Sequence, residues 1–275
     1  MHSMRASNSV PAAMKTVDIN GIRLEYLRLS SSRQREKAPA IIFLHEGLGS
    51  VSMWRSFPQQ VADASGCEAI VFSREGYGKS DPEPAPRTPR YLHRQGIEVL
   101  PALISALELD RPLLLGHSDG GSIALLCAGE TQTPLSGLIV IAPHVMVEDA
   151  TLAGIRKAAK LAHTVDLRQR LTRYHSEKNA ATVFAAWQNI WLDPAFRDWN
   201  IEACLPMIRC PVLAIQGEND EYATMEQIDR IAAQAPDVSL VKLADCRHSP
   251  HREQPQAVTG AITAFIGRVL DDPLR

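Results

Sequence analysis

The sequence has few of the features that mark metal-bound or disulfide-bonded proteins. Its five cysteines are Cys67, Cys127, Cys204, Cys210 and Cys246, and no two of them have Cys-x-x-Cys spacing. A disulfide framework needs paired cysteines, and a zinc site needs closely spaced ligands. We therefore predict no disulfide framework, no metal site and a reducing compartment.

Long apolar runs are also missing. No stretch reaches the length of about 18 apolar residues that a membrane-spanning helix needs. Residues 1–15 are polar and lack the apolar region of a secretory signal. We interpret residues 1–14 as a disordered leader and expect a cytoplasmic protein without membrane partners.

The charge balance lacks a basic excess. Lysine and arginine number 29 against 31 aspartates and glutamates, for a net charge of -2 at pH 7. Nucleic-acid binding needs clustered positive charge, so we expect no nucleic-acid partner. The 275 residues, 45% of them hydrophobic, suffice for one large domain or for a core with an inserted subdomain. The oligomeric state stays open, a homo-oligomer included.

Short apolar runs alternate along the chain with longer helical patterns. Several runs are apolar throughout, as expected of strands buried on both faces of a sheet. The alternation predicts an α/β protein with a mainly parallel sheet covered by helices on both faces. The predicted strands are residues 23–29, 40–45, 68–73, 112–117, 137–143, 211–217 and 238–244.

The helical patterns are regular except in one long interval. Predicted helices cover residues 52–64, 91–108, 119–130 and 224–235 and a last stretch that includes Val258 and Val269. Pro101 should kink or split the second helix, because it has no N–H to donate. Residues 146–205 show helical patterns and no strand, which predicts a helical insert between two strands.

The string "GHSDG" between a predicted strand and a predicted helix matches the pattern Gly-x-Ser-x-Gly. In this context the pattern predicts a sharp turn that exposes the oxygen of Ser118 as a nucleophile. Gly116 and Gly120 permit such a turn. The alternative is that Ser118 only caps the helix, since serine is a favoured N-cap residue.

A serine nucleophile needs a histidine base and an acid that orients it, in the chain order serine, acid, histidine. Asp220 follows one predicted strand and His248 follows the next, so all three residues lie at the carboxyl edge of the sheet. Alternatives stay open at this point. His251 competes with His248, and Glu218 and Glu221 compete with Asp220.

An oxyanion hole needs two oriented N–H groups. One is expected from Asp119, the residue after the nucleophile, and the other from the turn after an early strand. That turn has the sequence "LHEGLGS", where either Gly47 or Leu48 can supply the N–H.

Five strings in this order resemble the α/β-hydrolase fold superfamily over residues 15–270. The resemblance implies an eight-stranded sheet, a core of residues 15–145 and 206–275, and a helical cap, residues 146–205, over the site. It also implies Ser118 as nucleophile, Asp220 as acid and His248 as base, with no cofactor. Two departures are His45-Glu46 in place of the usual His-Gly and Ser73 in place of an aspartate. The strings are "LHEGLGS", "SREGYGKSD", "LGHSDGGS", "QGENDEY" and "CRHSPHREQP".

The carboxylate of Asp119 has two interpretations. An acidic residue in the first turn of a helix stabilises the helix dipole without any substrate. The string around it also resembles the biphenyl hydrolase-like (valacyclovirase) branch, which implies recognition of a substrate amino group. The candidate substrate-binding residues are Asp119, His45, Arg74, Trp187 and Trp191, of which the histidine and the tryptophans have purely structural alternatives.

These features together predict a serine hydrolase that cleaves a small ester or related acyl bond through an acyl-enzyme. Two alternatives remain on the same fold. One is a carbon–carbon bond hydrolase of anionic ring-cleavage products, for which Arg74 would have to offset Asp119. The other is a receptor without catalysis.

Overall fold

The computed structural model describes residues 13–84, 86–162 and 166–271. Residues 1–12 of the predicted leader lie outside this part of the chain. The described chain forms an eight-stranded sheet in the order β1-β2-β4-β3-β5-β6-β7-β8. The first two strands are antiparallel to their neighbours and the others are parallel. The strands are β1 Lys15–Ile19, β2 Ile22–Leu29, β3 Ile41–Leu44, β4 Ala69–Phe72, β5 Leu113–His117, β6 Gly137–Ile141, β7 Val212–Gly217 and β8 Val238–Leu243.

This architecture confirms the predicted fold class. Seven strands lie where the apolar runs predict them, and β1 is the additional one. It pairs with β2 through a tight turn that ends at Gly21, where φ is 83°. Because β1 lies at the edge of the sheet, its residues are mostly exposed and lack an apolar run.

Ten α-helices among the described residues cover the sheet and form the insert. They are α1 Phe57–Ser65, α2 Tyr91–Arg94, α3 Leu100–Ala106, α4 Asp119–Glu130, α5 Asp149–Ala162, α6 Leu167–Leu171, α7 Glu177–Leu192, α8 Glu226–Gln234, α9 Pro250–Glu253 and α10 Pro255–Leu270. Between α2 and α3 the chain forms one π-helical turn, Gln95–Val99. The long helix predicted over residues 91–108 is therefore interrupted, just before Pro101.

Alternate residues of each central strand pack into two separate cores. In β3, Ile42 and Leu44 contact one apolar cluster, while Ile41 and Phe43 contact the other. All four are fully buried. Since successive side chains of a strand point to opposite faces, a strand with helices on both sides must be apolar throughout. This explains the continuous apolar runs of the sequence.

The insert between β6 and β7 contains α5, α6 and α7 and lies above the carboxyl edge of the sheet. Its ends are joined where Met146 forms an isolated antiparallel bridge with Asn200. Next to that bridge the N–H of Ile201 donates to the carbonyl of Val145 over 2.8 Å. The two chain segments that enter and leave the insert therefore lie side by side.

The serine that replaces an aspartate after β4 has a structural role. Its hydroxyl donates to Oε1 of buried Glu25 over 2.6 Å and accepts from the N–H of Val51 over 2.9 Å. Ser73 thus joins β2 to the segment after β3.

No helix in the described residues is both long enough and apolar enough to cross a bilayer.

We predict that Gly120→Ala destabilises the protein, because α4 starts against the end of β3. A Cβ at position 120 would lie 2.0 Å from the carbonyl oxygen of Leu44, a backbone atom that cannot move aside. Overpacking of this kind costs about 1–3 kcal/mol of unfolding free energy, which urea denaturation measures. The matched control is Gly267→Ala in α10, where nothing lies within 4 Å. There alanine should stabilise by about 0.5–1 kcal/mol, and equal effects of the two changes would contradict the packing argument.

Candidate active site

The backbone turns sharply at Ser118, between β5 and α4. Its φ of 53° and ψ of -120° lie in a region that side-chain-bearing residues rarely adopt. The turn is close because a Cβ at Gly116 would lie 2.2 Å from the carbonyl oxygen of Gly120. The hydroxyl of Ser118 makes no capping hydrogen bond to the helix. The strained turn therefore directs the side chain away from the helix.

Three side chains that the sequence separates by up to 130 positions form one hydrogen-bonded chain. Nε2 of His248 lies 3.0 Å from Oγ of Ser118. On the other side of the ring, Nδ1 lies 2.8 and 2.9 Å from the two carboxylate oxygens of Asp220. The Asp220 side chain is fully buried and that of His248 is 12% exposed. This arrangement can take a proton from the serine and stabilise the resulting imidazolium.

The carboxylate controls the basicity of the histidine. Burial alone lowers the pKa of His248, but the hydrogen bond and the charge of Asp220 outweigh it and raise that pKa above its usual value of 6.5. Burial raises the pKa of Asp220, and the hydrogen bond and charge of His248 reverse this shift, so the acid stays ionised. The pair therefore provides a base with a raised pKa beside the serine.

Neighbouring residues orient the loop that bears the histidine. Nε2 of His117 donates to the carbonyl oxygen of His248 over 2.8 Å, and the N–H of His248 donates to Glu221 over 3.3 Å. His251, the rival base, is buried and packs against the rings of Trp54 and Phe57. The geometry thus brings His248 to the serine and gives His251 a packing position.

The turn after β3 presents two backbone N–H groups at the same edge of the sheet. The N–H of Gly49 donates to the carbonyl of Glu46 over 3.0 Å and closes a turn with Gly47 and Leu48 at its centre. The central N–H groups of such a turn take no part in its closing bond. The N–H of Asp119, the first residue of α4, has no acceptor within the helix. The N–H groups that are predicted to form the oxyanion hole therefore take no part in closing the turn or in the hydrogen bonds of the helix.

A cavity of 170 Å³ lies over Ser118 and beneath the helical insert. Seven of the predicted site residues line it: Gly47, Leu48, Ser118, Asp119, Trp187, Trp191 and His248. We call residues 45–49 the oxyanion turn. Trp187 covers this turn so closely that a Cβ at Gly47 would lie 2.3 Å from Cδ1 of the tryptophan. His45 and Arg74, which the sequence also suggested as substrate contacts, lie fully buried behind this wall.

Two aromatic residues at the cavity were missed by sequence reasoning. His144 packs between Trp191 and His248, with ring centroids 5.0 and 5.9 Å away. Burial, together with the charge of a protonated His248, lowers the pKa of His144 to about 3, so its ring is neutral at ordinary pH. Tyr222 lies 4.8 Å from the ring of His248. Both follow a strand closely at its carboxyl end, which is a signal that could have found them.

The carboxylate of Asp119 has partners inside the protein. Its Oδ2 accepts from the hydroxyl of Tyr91 over 3.1 Å and lies 3.7 Å from a guanidinium nitrogen of Arg74. Its Oδ1 is buried without a hydrogen-bond partner among the described residues. One oxygen is thus neutralised by the protein, and the other is left over in a residue that lines the cavity.

Within residues 13–84, 86–162 and 166–271, no group of three or more histidine, cysteine, aspartate or glutamate side chains is placed to bind a metal ion.

A mostly parallel sheet with a serine, a histidine and an acid at its carboxyl edge defines the α/β-hydrolase class of enzymes. The alpha/beta hydrolase family model matches residues 41–261. The chain belongs to that family and is a hydrolase.

Individual relatives agree with this assignment. Serine hydrolase BPHL of Mus musculus is 25% identical over 86% of this chain and 80% of its own. The 2-hydroxy-6-oxo-6-phenylhexa-2,4-dienoate hydrolase of Burkholderia cepacia is 22% identical over 94% of this chain and 98% of its own. A bacterial membrane phospholipase A has a similar fold, with a TM-score of 0.75 and 20% identity over 95% of this chain and 87% of its own.

We predict that hydrolytic activity falls as the pH drops through the raised pKa of His248, because only the neutral ring accepts the serine proton. In Asp220→Asn the raising charge is gone while the lowering effect of burial stays, so the acid limb of kcat/KM moves to lower pH. We also expect kcat to fall about 10⁴-fold, the size seen when a triad acid is replaced. Rates measured from about pH 4 to about pH 9, a range that spans the titration of histidine, show both effects.

The matched control for that experiment is Glu218→Gln, an exposed acid in the same loop. Its profile should overlay the native one. A native acid limb below pH 6.5, or one that Asp220→Asn leaves in place, would contradict the assignment of the limb to the His248 and Asp220 pair.

Proposed function

We propose that this enzyme is a serine hydrolase that cleaves small carboxylic esters through an acyl-enzyme. The observation that carries the proposal is the hydrogen-bonded chain from Ser118 through His248 to Asp220, open to a cavity on the serine side.

In the proposed reaction His248 takes the proton of Ser118 as the serine oxygen attacks the ester carbonyl. The N–H groups of Asp119 and of Gly47 or Leu48 stabilise the oxyanion that forms. His248 then gives its proton to the leaving alcohol. Water, activated by the same histidine, releases the acid and restores the serine.

The dimensions of the cavity favour small acyl groups. Pockets for drug-sized ligands have volumes of about 300–1,000 Å³, whereas the cavity over Ser118 measures 170 Å³. Its walls are largely apolar and aromatic. Ile155, Trp187 and Trp191 come from the insert, and Tyr222 comes from the loop that carries Asp220. Such a cavity suits a short aliphatic or a single aromatic acyl chain.

Charge at the cavity argues against the carbon–carbon hydrolase alternative. The Burkholderia cepacia relative is named for an anionic dienoate, and this chain would need a cation to bind one. The described lining holds two carboxylates, Glu46 and Asp119, and no lysine or arginine. Arg74 is 1% exposed and faces the Oδ2 atom of Asp119 from behind the wall. We therefore favour neutral or cationic esters.

The unpartnered Oδ1 of Asp119 supports a preference for cationic acyl groups. A buried carboxylate oxygen without a donor is costly, and a substrate ammonium would supply one. The charge of Arg74 at 3.7 Å weakens this attraction and does not abolish it, because the contact is longer than a hydrogen bond. We therefore propose that the Asp119 carboxylate recognises the α-amino group of a substrate and gives the enzyme a modest preference for cationic esters.

We expect Ser118→Ala to lower kcat/KM for p-nitrophenyl acetate at least about a thousandfold, because the nucleophile is lost while the oxyanion donors stay. A fluorophosphonate probe should label the native protein at Ser118 and leave the variant unlabelled. The matched control is Ser105→Ala, an exposed serine of α3, which should keep full labelling and rate. A native protein that is folded and stays unlabelled would contradict the serine nucleophile and with it the proposed acyl-enzyme.

The charge preference predicts a result for two ester isosteres. The p-nitrophenyl esters of alanine and of isobutyric acid differ by one ammonium group in place of a methyl. In Asp119→Asn, the ratio of their kcat/KM values should fall about tenfold, since one charge contact is lost. The neutral ester corrects for any change in the oxyanion hole.

Asp110→Asn, an exposed acid remote from the cavity, is the control for that ratio and should leave it unchanged. A ratio that survives Asp119→Asn would refute amine recognition and leave the esterase proposal intact.

A further inference from the structure

Arg74 carries a charge that is buried beside the site without facing the cavity. It follows β4 by two residues, and its side chain is 1% exposed, with the guanidinium 4.5 Å from the ring centre of Tyr77. Burying a guanidinium is costly unless its N–H groups are paired. The partners that it has therefore indicate what it does.

One guanidinium nitrogen of Arg74 binds the backbone of the oxyanion turn. It donates to the carbonyl oxygen of Glu46 over 2.9 Å and to that of His45 over 3.3 Å. In a trans peptide the carbonyl and the N–H point in opposite directions. With the Glu46 carbonyl directed at Arg74, the N–H of the same peptide, which belongs to Gly47, is directed away from Arg74. Gly47 lines the cavity.

The same nitrogen also faces the other side of the oxyanion hole. It lies 3.7 Å from Oδ2 of Asp119, whose own N–H is the second expected donor. The carboxylate is held from the other direction by the hydroxyl of Tyr91. A single positive charge thus contacts the carbonyl of the Glu46–Gly47 peptide, whose N–H is one expected donor, and the side chain of Asp119, whose backbone N–H is the other.

His45 reinforces this connection. Its Nδ1 is 2.7 Å from the carbonyl oxygen of Glu46, and its Nε2 is 3.1 Å from the backbone N–H of Arg74. The N–H of Arg74 can only donate, so Nε2 accepts and Nδ1–H donates. Burial and the charge of Arg74 keep the pKa of His45 well below its usual value, in agreement with this neutral form.

We propose that Arg74 is a positioning residue for the oxyanion hole, which orients the Glu46–Gly47 peptide and anchors Asp119 through one guanidinium nitrogen. The proposal rests on the esterase function proposed above. A charged donor on the Glu46 carbonyl also polarises that peptide, which makes its N–H a stronger donor. Arg74 acts on the transition state through this peptide and touches no substrate.

This role has a signature that a merely structural counter-ion lacks. An oxyanion donor stabilises the negative oxygen of the tetrahedral state and contributes little to the neutral ester. Disturbing it should lower kcat and leave KM nearly constant. Loss of packing alone would lower the amount of folded enzyme and leave the kcat of the folded fraction unchanged.

The experiment uses Arg74→Lys, which keeps a positive charge near Asp119 but has a single nitrogen on a differently shaped stem. We expect kcat for p-nitrophenyl acetate to fall about tenfold to a hundredfold. Removal of a complete oxyanion donor lowers kcat by about a hundredfold or more, and a donor that is only misplaced should cost less. Trifluoroacetone, which forms a tetrahedral oxyanion on the serine, should bind more weakly by a similar factor. Its alcohol, trifluoroisopropanol, should bind as before, and the acid limb of the pH profile should stay in place.

The matched control is Arg87→Lys, a second buried arginine that packs over Tyr77 and Tyr91 and pairs with Glu83. It has no contact with the oxyanion turn in the described structure, so it should lower the melting temperature without changing kcat. Active-site titration with the fluorophosphonate probe normalises every rate to folded enzyme. Arg74→Met, without the charge, should lose at least as much kcat as Arg74→Lys.

Three results would overturn the proposal: an unchanged kcat in Arg74→Lys, an equal loss in Arg87→Lys, or equal weakening of the ketone and its alcohol. The failure of the esterase proposal is distinguishable, since it would appear as native enzyme that neither reacts with the probe at Ser118 nor hydrolyses the ester.

Discussion

The site depends on one steric constraint, the close contact of the turn at Ser118 with the strands on either side. Gly116 approaches the backbone of Gly120, and Gly120 approaches the carbonyl of Leu44, so no side chain fits at either position. The same turn puts a non-glycine residue at positive φ, which costs about 1–3 kcal/mol and persists only because the surrounding sheet enforces it. It places the serine hydroxyl, the N–H of Asp119 and the start of α4 at one point.

Buried charge forms a second layer around this turn. Asp220 is paired with His248, and Arg74 is shared between Asp119 and the carbonyls of the oxyanion turn. In a medium of low polarity such contacts are stronger than in water, and leaving one partner alone is costly. If the proposed esterase function and positioning role hold, catalysis and charge selectivity are coupled, because the same Asp119 carboxylate would recognise a cationic substrate and contacts the arginine beside the oxyanion turn.

Periodicity and local pattern could predict the fold, since apolar runs and glycine turns act over a few residues. The seven predicted strands and the helix after Ser118 depend on such local signals. The edge strand β1 has only one buried residue, Ile19, and therefore no apolar run. The helix predicted over residues 91–108 is interrupted because helical periodicity does not register a π-helical turn. His144 was missed because its position depends on packing against Trp191, a contact between the core and the helical insert.

The sequence by itself determined the order of strands and helices, the turn at Ser118 and the positions of Asp220 and His248 at strand ends, because each is written in neighbouring residues. It predicted Arg74 as a substrate contact whose charge could offset that of Asp119. Only the tertiary structure placed that guanidinium behind the cavity wall, 3.7 Å from Asp119 and 2.9 Å from the carbonyl of Glu46. The direction of a buried side chain depends on partners far along the chain, and no local pattern records which of them it meets.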